Sequence, residues 1–111
     1  MVVIDPAKKL LTLINVVEVE PDRCDEVVRM FVAATENVIS GLDGFVSSSI
    51  HRSIDGTRVI NYAQWESEAA LEASRNHPDT QIYYEQVDAA AKSLSPTLTV
   101  VVDSKLHRSV G

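Results

Sequence analysis

The side chains best suited to chemistry lie in the segment 61–65, Asn-Tyr-Ala-Gln-Trp, which ends in the single tryptophan of the chain. Upstream, two runs of alternating apolar and polar residues meet at Asp55-Gly56, a dipeptide that favours a β-hairpin. A turn of either two or four residues places Ile50 opposite Asn61. The amide of Asn61 then points into a mostly apolar face, where an unpartnered amide costs about 1 to 3 kcal/mol. We therefore expect a hydrogen-bonding partner for it.

The same pairing places Val46 opposite Trp65, so Trp65 and Asn61 share one face of the predicted hairpin. Asn15 is the one polar interruption on the apolar face of an earlier predicted strand. The three side chains are suited to lining one pocket. The alternative is structural: both amides bond to helix ends, as buried amides usually do, and Trp65 fills the core.

The composition predicts one soluble domain over 9–107 with flexible termini at 1–8 and 108–111. A net charge of −6 argues against nucleic acid and anionic membranes as partners, because both need a basic surface. Cys24 is the single cysteine, which excludes an internal disulfide and a Cys-x-x-Cys site. Without a signal-peptide pattern or an apolar run of about 18 residues, the sequence predicts a cytoplasmic protein.

Periodicity and turn residues predict four strands and two helices in the order βαββαβ. This is the split βαβ plan of a ferredoxin-like α+β fold: a four-stranded antiparallel sheet with both helices on one face. The second helix is interrupted near His77-Pro78 by a kink or a true break. The predicted strands are 10–19, 45–54, 57–66 and 97–106; the helices are 22–40 and 68–94.

The other face of the predicted sheet lacks a helix and carries Val16, Ile60 and Tyr62 among serines and threonines. An uncovered apolar face of this kind usually marks an interface. A two-fold homodimer that closes one sheet on the other is the simplest arrangement that covers it.

The run from His51 to Leu71, HRSIDGTRVINYAQWESEAAL, resembles the antibiotic biosynthesis monooxygenase (ABM) family. It is most similar to the cofactor-independent anthrone oxygenases of aromatic polyketide pathways, and the resemblance covers most of 10–103. The resemblance implies a ferredoxin-like protomer, a dimeric α+β barrel and an active-site cleft between sheet and helices.

The resemblance also implies catalytic roles for Asn61 and Trp65, at the family's Asn-x-x-x-Trp spacing, and for Asn15 on the first strand. Further substrate contacts are expected from Phe31, Leu71, Tyr83 and Tyr84. The similar oxygenases carry Tyr six residues after the Trp, where this chain has Leu71, and an Arg on the second part of helix 2, where it has Tyr83, Tyr84 and Glu85. These departures point to a changed substrate or to loss of that activity.

Neither a Gly-rich phosphate loop nor a His and carboxylate cluster at metal spacing occurs in the sequence, so no cofactor and no metal are expected. The expected substrate is then an aromatic phenol or anthrone that itself reduces O₂ and becomes a quinone. Asn61 is expected to donate to its enolate oxygen, and the indole of Trp65 to a peroxy or carbonyl oxygen.

Two other functions stay open. Haem-degrading relatives of this fold carry an iron-binding His about ten residues after the Trp; here that position is Arg75, and His77 follows two residues later. The third possibility is a non-catalytic dimeric barrel that binds a metabolite. His51 and His107 are expected to be ordinary surface residues.

Overall fold

The computed structural model of the chain describes residues 1–108; residues 109–111, most of the predicted flexible tail, lie outside this range. The described part contains four strands and three α-helices, with short 3₁₀ turns at Pro6–Lys8, Pro21–Arg23 and Ile39–Gly41. The longer elements are β1 (Leu11–Glu18), α1 (Cys24–Asn37), β2 (Phe45–Arg52), β3 (Arg58–Trp65), α2 (Glu68–Arg75), α3 (Pro78–Ala90) and β4 (Ser93–Val100).

The strands form one antiparallel sheet in the order β2-β3-β1-β4. Strands β1 and β3, distant in sequence, are therefore central neighbours, while β2 and β4 are the edges. This arrangement confirms the predicted ferredoxin-like α+β fold with its βαββαβ order. The domain limits of 9–107 stay a prediction.

The core lies between the helices and the sheet face that carries alternate residues of β1 and β3. Val17 and Val59 are fully buried directly opposite each other on these strands and pack with Val27 of α1 and Val87 of α3. A second apolar cluster fills the other end of the same face. Its buried members are Leu13, Ala34, Ile39, Ala63, Trp65 and Leu71.

Helix α1 is shorter than predicted at both ends. Asp22, expected to cap the helix, lies in the 3₁₀ turn, and the helix begins after Arg23 without a side-chain cap. At the other end Val38 leaves helical geometry with φ −132° and ψ −63°, and the 3₁₀ turn Ile39–Gly41 follows. The turn buries Ile39 in the core, so packing ends the helix before the predicted stop at Ser40.

The interruption of the second predicted helix is a true break into α2 and α3. As predicted, Ser67 caps α2 by accepting a hydrogen bond from the Ala70 amide at 3.1 Å. His77 adopts extended geometry, as the residue before Pro78 is expected to. The cap of α3 is His77, whose Nδ1 accepts from the Asp79 amide at 3.2 Å, and not Asp79 as predicted.

The boundary between α3 and β4 was predicted wrongly. The helix was expected to run to about Leu94 and the strand to start at Thr97, but α3 ends at Ala90 and β4 spans Ser93–Val100. Leu94 continues the four-residue spacing from Ala90, which mimics a helical stripe. Pro96 does not end the helix but lies within β4, which tolerates it because an edge strand can spare a backbone donor.

The hairpin between β2 and β3 has the four-residue form of the predicted turn. The Ser53 amide donates to the Arg58 carbonyl at 2.9 Å, and Gly56 adopts φ +72° inside the loop. Ile50 lies opposite Asn61 as predicted.

The predicted pairing of Val46 with Trp65 is wrong. A register shift between Phe45 and Ser47 places Phe45 opposite Trp65 and leaves Val46 exposed. The extra residue is a β-bulge near the end of the hairpin.

The helix-free face of the sheet is partly covered at one end by the N-terminal segment. Gln64, expected on an open surface, is 1% exposed, and its Nε2 donates to the Val3 carbonyl at 2.8 Å. Val16, Ile60 and Tyr62 on the same face are half-buried. Within residues 1–108 no helix is long and apolar enough to cross a membrane.

Candidate active site

Asn15 and Asn61 lie directly opposite each other on β1 and β3. Both are buried on the helix-covered face, at 3% and 5% exposure, as the alternating pattern predicted. The Ser48 hydroxyl donates to Asn61 Oδ1 at 2.8 Å. Within residues 1–108 nothing donates to the buried Oδ1 of Asn15. The Oδ1 of Asn61 therefore has a hydrogen-bond donor, whereas the Oδ1 of Asn15 has none within residues 1–108. The Asn15 oxygen is the one left to accept a hydrogen bond from a ligand.

Trp65 is 2% exposed and forms part of the second apolar cluster together with Leu71. The Phe45 ring meets the indole edge-on, with centroids 5.4 Å apart and planes at 80°. Its buried Nε1 has no acceptor within residues 1–108. Because buried donors are nearly always paired, this orphan N–H distinguishes Trp65 from an ordinary core aromatic.

A cleft of ≈ 650 Å³ opens between α3 and the β1–β4 half of the sheet. Its floor contains Leu13 and Asn15 from β1 and Leu94 and Pro96 from β4. The facing wall is one side of α3 together with the last residue of α2: Arg75, Gln81, Tyr84, Glu85 and Asp88. A cleft of this size between an apolar floor and a polar wall is typical of a small-molecule site.

Of the predicted site residues, Asn15 and Tyr84 line this cleft. Asn61 is the cross-strand neighbour of Asn15, one strand further from the cleft. The others lie in the core beside it, outside the lining: Phe31 in the first apolar cluster, and Trp65, Leu71 and Tyr83 in or against the second. The roles predicted for all of them stay predictions.

The two predicted tyrosines differ in environment. Tyr83 accepts a hydrogen bond at its hydroxyl from Asn37 Nδ2 at 2.9 Å, which ties α3 to the end of α1. Tyr84 faces the cleft, where burial raises the pKa of its phenol, while the positive charge of Arg75 acts in the opposite direction. Tyr84 therefore stays a neutral phenol and is able to donate a hydrogen bond to a ligand.

The charged wall of the cleft was missed in the sequence. Gln81, Tyr84, Glu85 and Asp88 follow the spacing of one helix face, but the predicted inward stripe of α3 was Tyr83, Val87, Ala90 and Leu94. A polar stripe ordinarily indicates a face towards solvent. Only the position of α3 over β1 and β4 turns it towards a cleft.

His77, the candidate haem ligand, does not line the cleft. Its Nδ1 is engaged in capping α3, so nothing in its placement favours binding to iron. His51 and His107 are exposed, as expected. In the part of the chain that the structure describes, no three His, Cys, Asp or Glu side chains are grouped to hold a metal ion.

Comparison with known proteins identifies the family of the chain. The family model described as antibiotic biosynthesis monooxygenase matches residues 10–86. Tetracenomycin-F1 monooxygenase of Streptomyces glaucescens is 41% identical over 85 residues, which span 77% of this chain and 76% of that protein.

Two solved structures are similar in fold. A monooxygenase from the gene ActVA-Orf6 of Streptomyces coelicolor, in complex with nanaomycin D, has a TM-score of 0.82 at 25% identity, covering 94% of this chain and 96% of its own. SnoaB, a cofactor-independent oxygenase from Streptomyces nogalater, has a TM-score of 0.74 at 17% identity and covers 86% and 96%. The family match and the 41% relative confirm the resemblance found in the sequence: this chain belongs to the antibiotic biosynthesis monooxygenase family.

Proposed function

We propose that this monooxygenase oxidises a polycyclic aromatic phenol or anthrone to a quinone with O₂, without a metal or organic cofactor, in the biosynthesis of an aromatic polyketide antibiotic or a similar secondary metabolite. The observation that carries the proposal is the Asn15–Asn61 pair, which presents amide groups at and beside the apolar floor of the cleft. A flat ring system fits an apolar floor, and its oxygen atoms need polar partners there.

The proposed reaction uses the substrate as its own reductant. The acidic ring CH₂ loses a proton, the resulting enolate passes one electron to O₂, and the radical pair recombines into a carbon–peroxide bond. Protonation and loss of water then break the O–O bond and leave a carbonyl. One oxygen atom ends in the quinone and the other in water, so the balance closes without a further reductant.

The amides and the indole are suited to stabilising charge in this sequence. The Ser48 hydroxyl occupies Asn61 Oδ1, so Nδ2 is the end of that amide left to donate to an enolate oxygen. Asn15 lines the cleft and its buried Oδ1 has no donor within residues 1–108, so it is the acceptor that we assign to a substrate hydroxyl. The Trp65 N–H offers a donor to a peroxy or carbonyl oxygen that reaches it. One oriented donor is worth about 3 kcal/mol in such sites.

The names of the relatives support the same class of reaction. The 41% identical relative is a tetracenomycin-F1 monooxygenase, the ActVA-Orf6 protein holds the ligand nanaomycin D, and SnoaB is a cofactor-independent oxygenase. We extend this chemistry to the present chain as part of the proposal.

Oxygen uptake by chelator-treated protein tests the function. With an anthrone or hydroxylated naphthacenone substrate, we expect one O₂ consumed per quinone formed and one atom of isotopically labelled O₂ in the product. The Asn15→Ala, Asn61→Ala double variant is the control. If the treated wild-type protein oxidises none of a set of anthrones and hydroxylated naphthacenones, the proposed function is wrong. The alternative of a metabolite-binding protein then takes its place.

We also propose that the working unit is a homodimer, closed through the helix-free face of the sheet. Val16 and Ile60 are directly paired there and, with Tyr62, are half-buried in a single chain. Packing against a second copy removes these apolar side chains from water, which stabilises the dimer.

A further inference from the structure

The lining of the cleft contains one positively charged side chain. Among the lining residues only Arg75 is positively charged, and it stands at the last position of α2, beside the start of α3. Its side chain is 35% exposed, so it is partly withdrawn from water. Its ion pair within residues 1–108 is with Glu72 of the same helix at 3.6 Å, which is longer than a hydrogen bond. The hydrogen-bonding capacity of the guanidinium is therefore not used up by Glu72.

The carboxylates of the cleft lie closer to solvent. Glu85 and Asp88 on α3 are exposed, and neither forms an ion pair with Arg75 in the described chain. Exposed charges are screened by water and salt, whereas a partly buried guanidinium keeps more of its attraction for an anion. Arg75 is thus the lining group that favours an anion, and the two exposed carboxylates oppose it.

We propose that Arg75 is a specificity residue that binds a carboxylate carried on the aromatic ring system of the substrate. The planar fork of a guanidinium matches the two oxygens of a carboxylate, which makes this pairing stronger and more directional than one to a single phenolate oxygen. The apolar floor would hold the rings and Asn15 a ring hydroxyl. The inference rests on the proposed function for the aromatic nature of the ligand.

Binding of a matched pair of product-like quinones tests this. Anthraquinone-2-carboxylate and its methyl ester have the same rings, and only the first carries the charge. By isothermal titration calorimetry we expect the wild-type protein to bind the acid at least about tenfold more tightly than the ester. In Arg75→Gln the affinity for the acid should fall by about 10- to 100-fold, with little change for the ester.

Three variants serve as controls. Arg75→Lys keeps the positive charge but not the planar, two-pronged guanidinium, so its affinity for the acid should be lower than that of the wild type but higher than that of Arg75→Gln. Glu85→Gln removes an opposing charge and should strengthen acid binding only. Arg29→Gln makes the same charge change on the exposed surface of α1 and should change the affinity for neither ligand. Thermal melting of each variant shows whether it is folded.

The proposal is overturned if the wild-type protein binds acid and ester equally, or fails to bind the acid at about 1 mM, or if folded Arg75→Gln weakens both ligands alike. Failure of the proposed function looks different. In that case no anthrone supports oxygen uptake, while the Arg75-dependent preference for the acid remains and defines the ligand of a binding protein.

Discussion

Asn15 and Asn61 face each other across the two central strands, yet their amide oxygens have different partners. Ser48 donates to Asn61 Oδ1 at 2.8 Å, and no group within residues 1–108 donates to Asn15 Oδ1. The sheet therefore presents one amide with a fixed orientation next to one whose buried oxygen has no donor, and the second residue, Asn15, lines the cleft. A purely structural pair of asparagines would be expected to satisfy both.

The first prediction concerns Asn61→Ala. If the amide donates to the enolate oxygen, turnover on an accepted anthrone should fall by about 10² or more, the usual loss for one oriented donor. The protein should stay folded, at a cost of about 1 to 3 kcal/mol from the unpaired Ser48 hydroxyl. Steady-state oxygen uptake and urea denaturation measure the two effects.

Ser48→Ala is the matched control, because it removes the hydroxyl that orients the amide and keeps the amide itself. It should lower turnover much less than Asn61→Ala at a similar cost in stability. Wild-type turnover by folded Asn61→Ala would show that the amide has only a structural role.

A second prediction separates the indole N–H of Trp65 from its volume. Trp65→Phe keeps most of the ring packing against Phe45 and removes a buried donor that has no acceptor within residues 1–108. The smaller ring leaves a cavity, which is destabilising, but the variant also removes a buried donor without a partner, which is stabilising. The free energy of unfolding should therefore change little. Turnover should fall by about tenfold or more if the N–H serves an oxygen of the reacting complex.

Trp65→Ala provides the comparison. It should destabilise the protein by about 3 to 5 kcal/mol through the cavity that it leaves. A folded Trp65→Phe protein with full activity on an accepted substrate would eliminate the indole proton from the mechanism.

The faces of the central strands could be predicted because their signals are local. Alternation with period two assigned Asn15, Asn61 and Trp65 to one face, and the Asp55-Gly56 turn fixed the hairpin register around Ile50. The bulge at Val46 was not predicted because an extra residue shifts the alternation by one position, and the three serines that follow contain no apolar residue to show the shift.

The cleft could not be predicted because it depends on where α3 packs. Arg75 and Glu85 read as solvent-facing residues until the helix is placed over β1 and β4. The burial of Gln64 likewise depends on a contact with Val3, far away in sequence. Local propensity contains no information about such pairs, whereas strand alternation is a property of the segment itself.

The proposed homodimer makes a third prediction, at Ile60. Replacing this half-buried residue of the helix-free face by Glu would place a charge in the centre of the proposed interface, where it lacks a partner. Light scattering during gel filtration should give twice the 12.2 kDa chain mass for the wild type and a single chain mass for Ile60→Glu.

Ile54→Glu is the control for this experiment, because Ile54 projects from the hairpin turn and is fully exposed. That variant should stay dimeric. A dimer that survives Ile60→Glu would place the interface on another surface.

A fourth prediction contrasts two glycines of one loop. Gly44 adopts φ +82°, and a Cβ built on it would clash with the Cβ of Ala70 on α2. Gly44→Ala should therefore destabilise the protein by more than the roughly 1 to 3 kcal/mol of backbone strain alone, because α2 must also move. Gly41→Ala meets nothing within 4 Å and should leave the unfolding midpoint nearly unchanged. Equal denaturation curves for the two variants would contradict the close approach.

The last prediction concerns pH and the hairpin turn. Asp55 Oδ1 accepts hydrogen bonds from the Thr57 hydroxyl at 2.7 Å, the Ser53 hydroxyl at 2.7 Å and the Thr57 amide at 3.1 Å. These bonds, the Thr57 hydroxyl first, lower the pKa of Asp55 from 3.8 to about 2. Because the folded protein holds this proton less tightly than the unfolded chain, the stabilising contribution is complete above the unfolded pKa and is lost as pH falls through the folded one.

Carbon-detected NMR titration of the Asp55 carboxyl should give a midpoint near the lowered pKa of about 2. Thr57→Val keeps the shape of the side chain and removes its hydroxyl, so it should raise that midpoint towards 3.8. In denaturation, the advantage of wild type over Asp55→Asn should be constant above the unfolded pKa and shrink as the carboxylate is protonated. An Asp55 midpoint that Thr57→Val leaves unchanged would show that the hydroxyl is not what holds the carboxylate ionised.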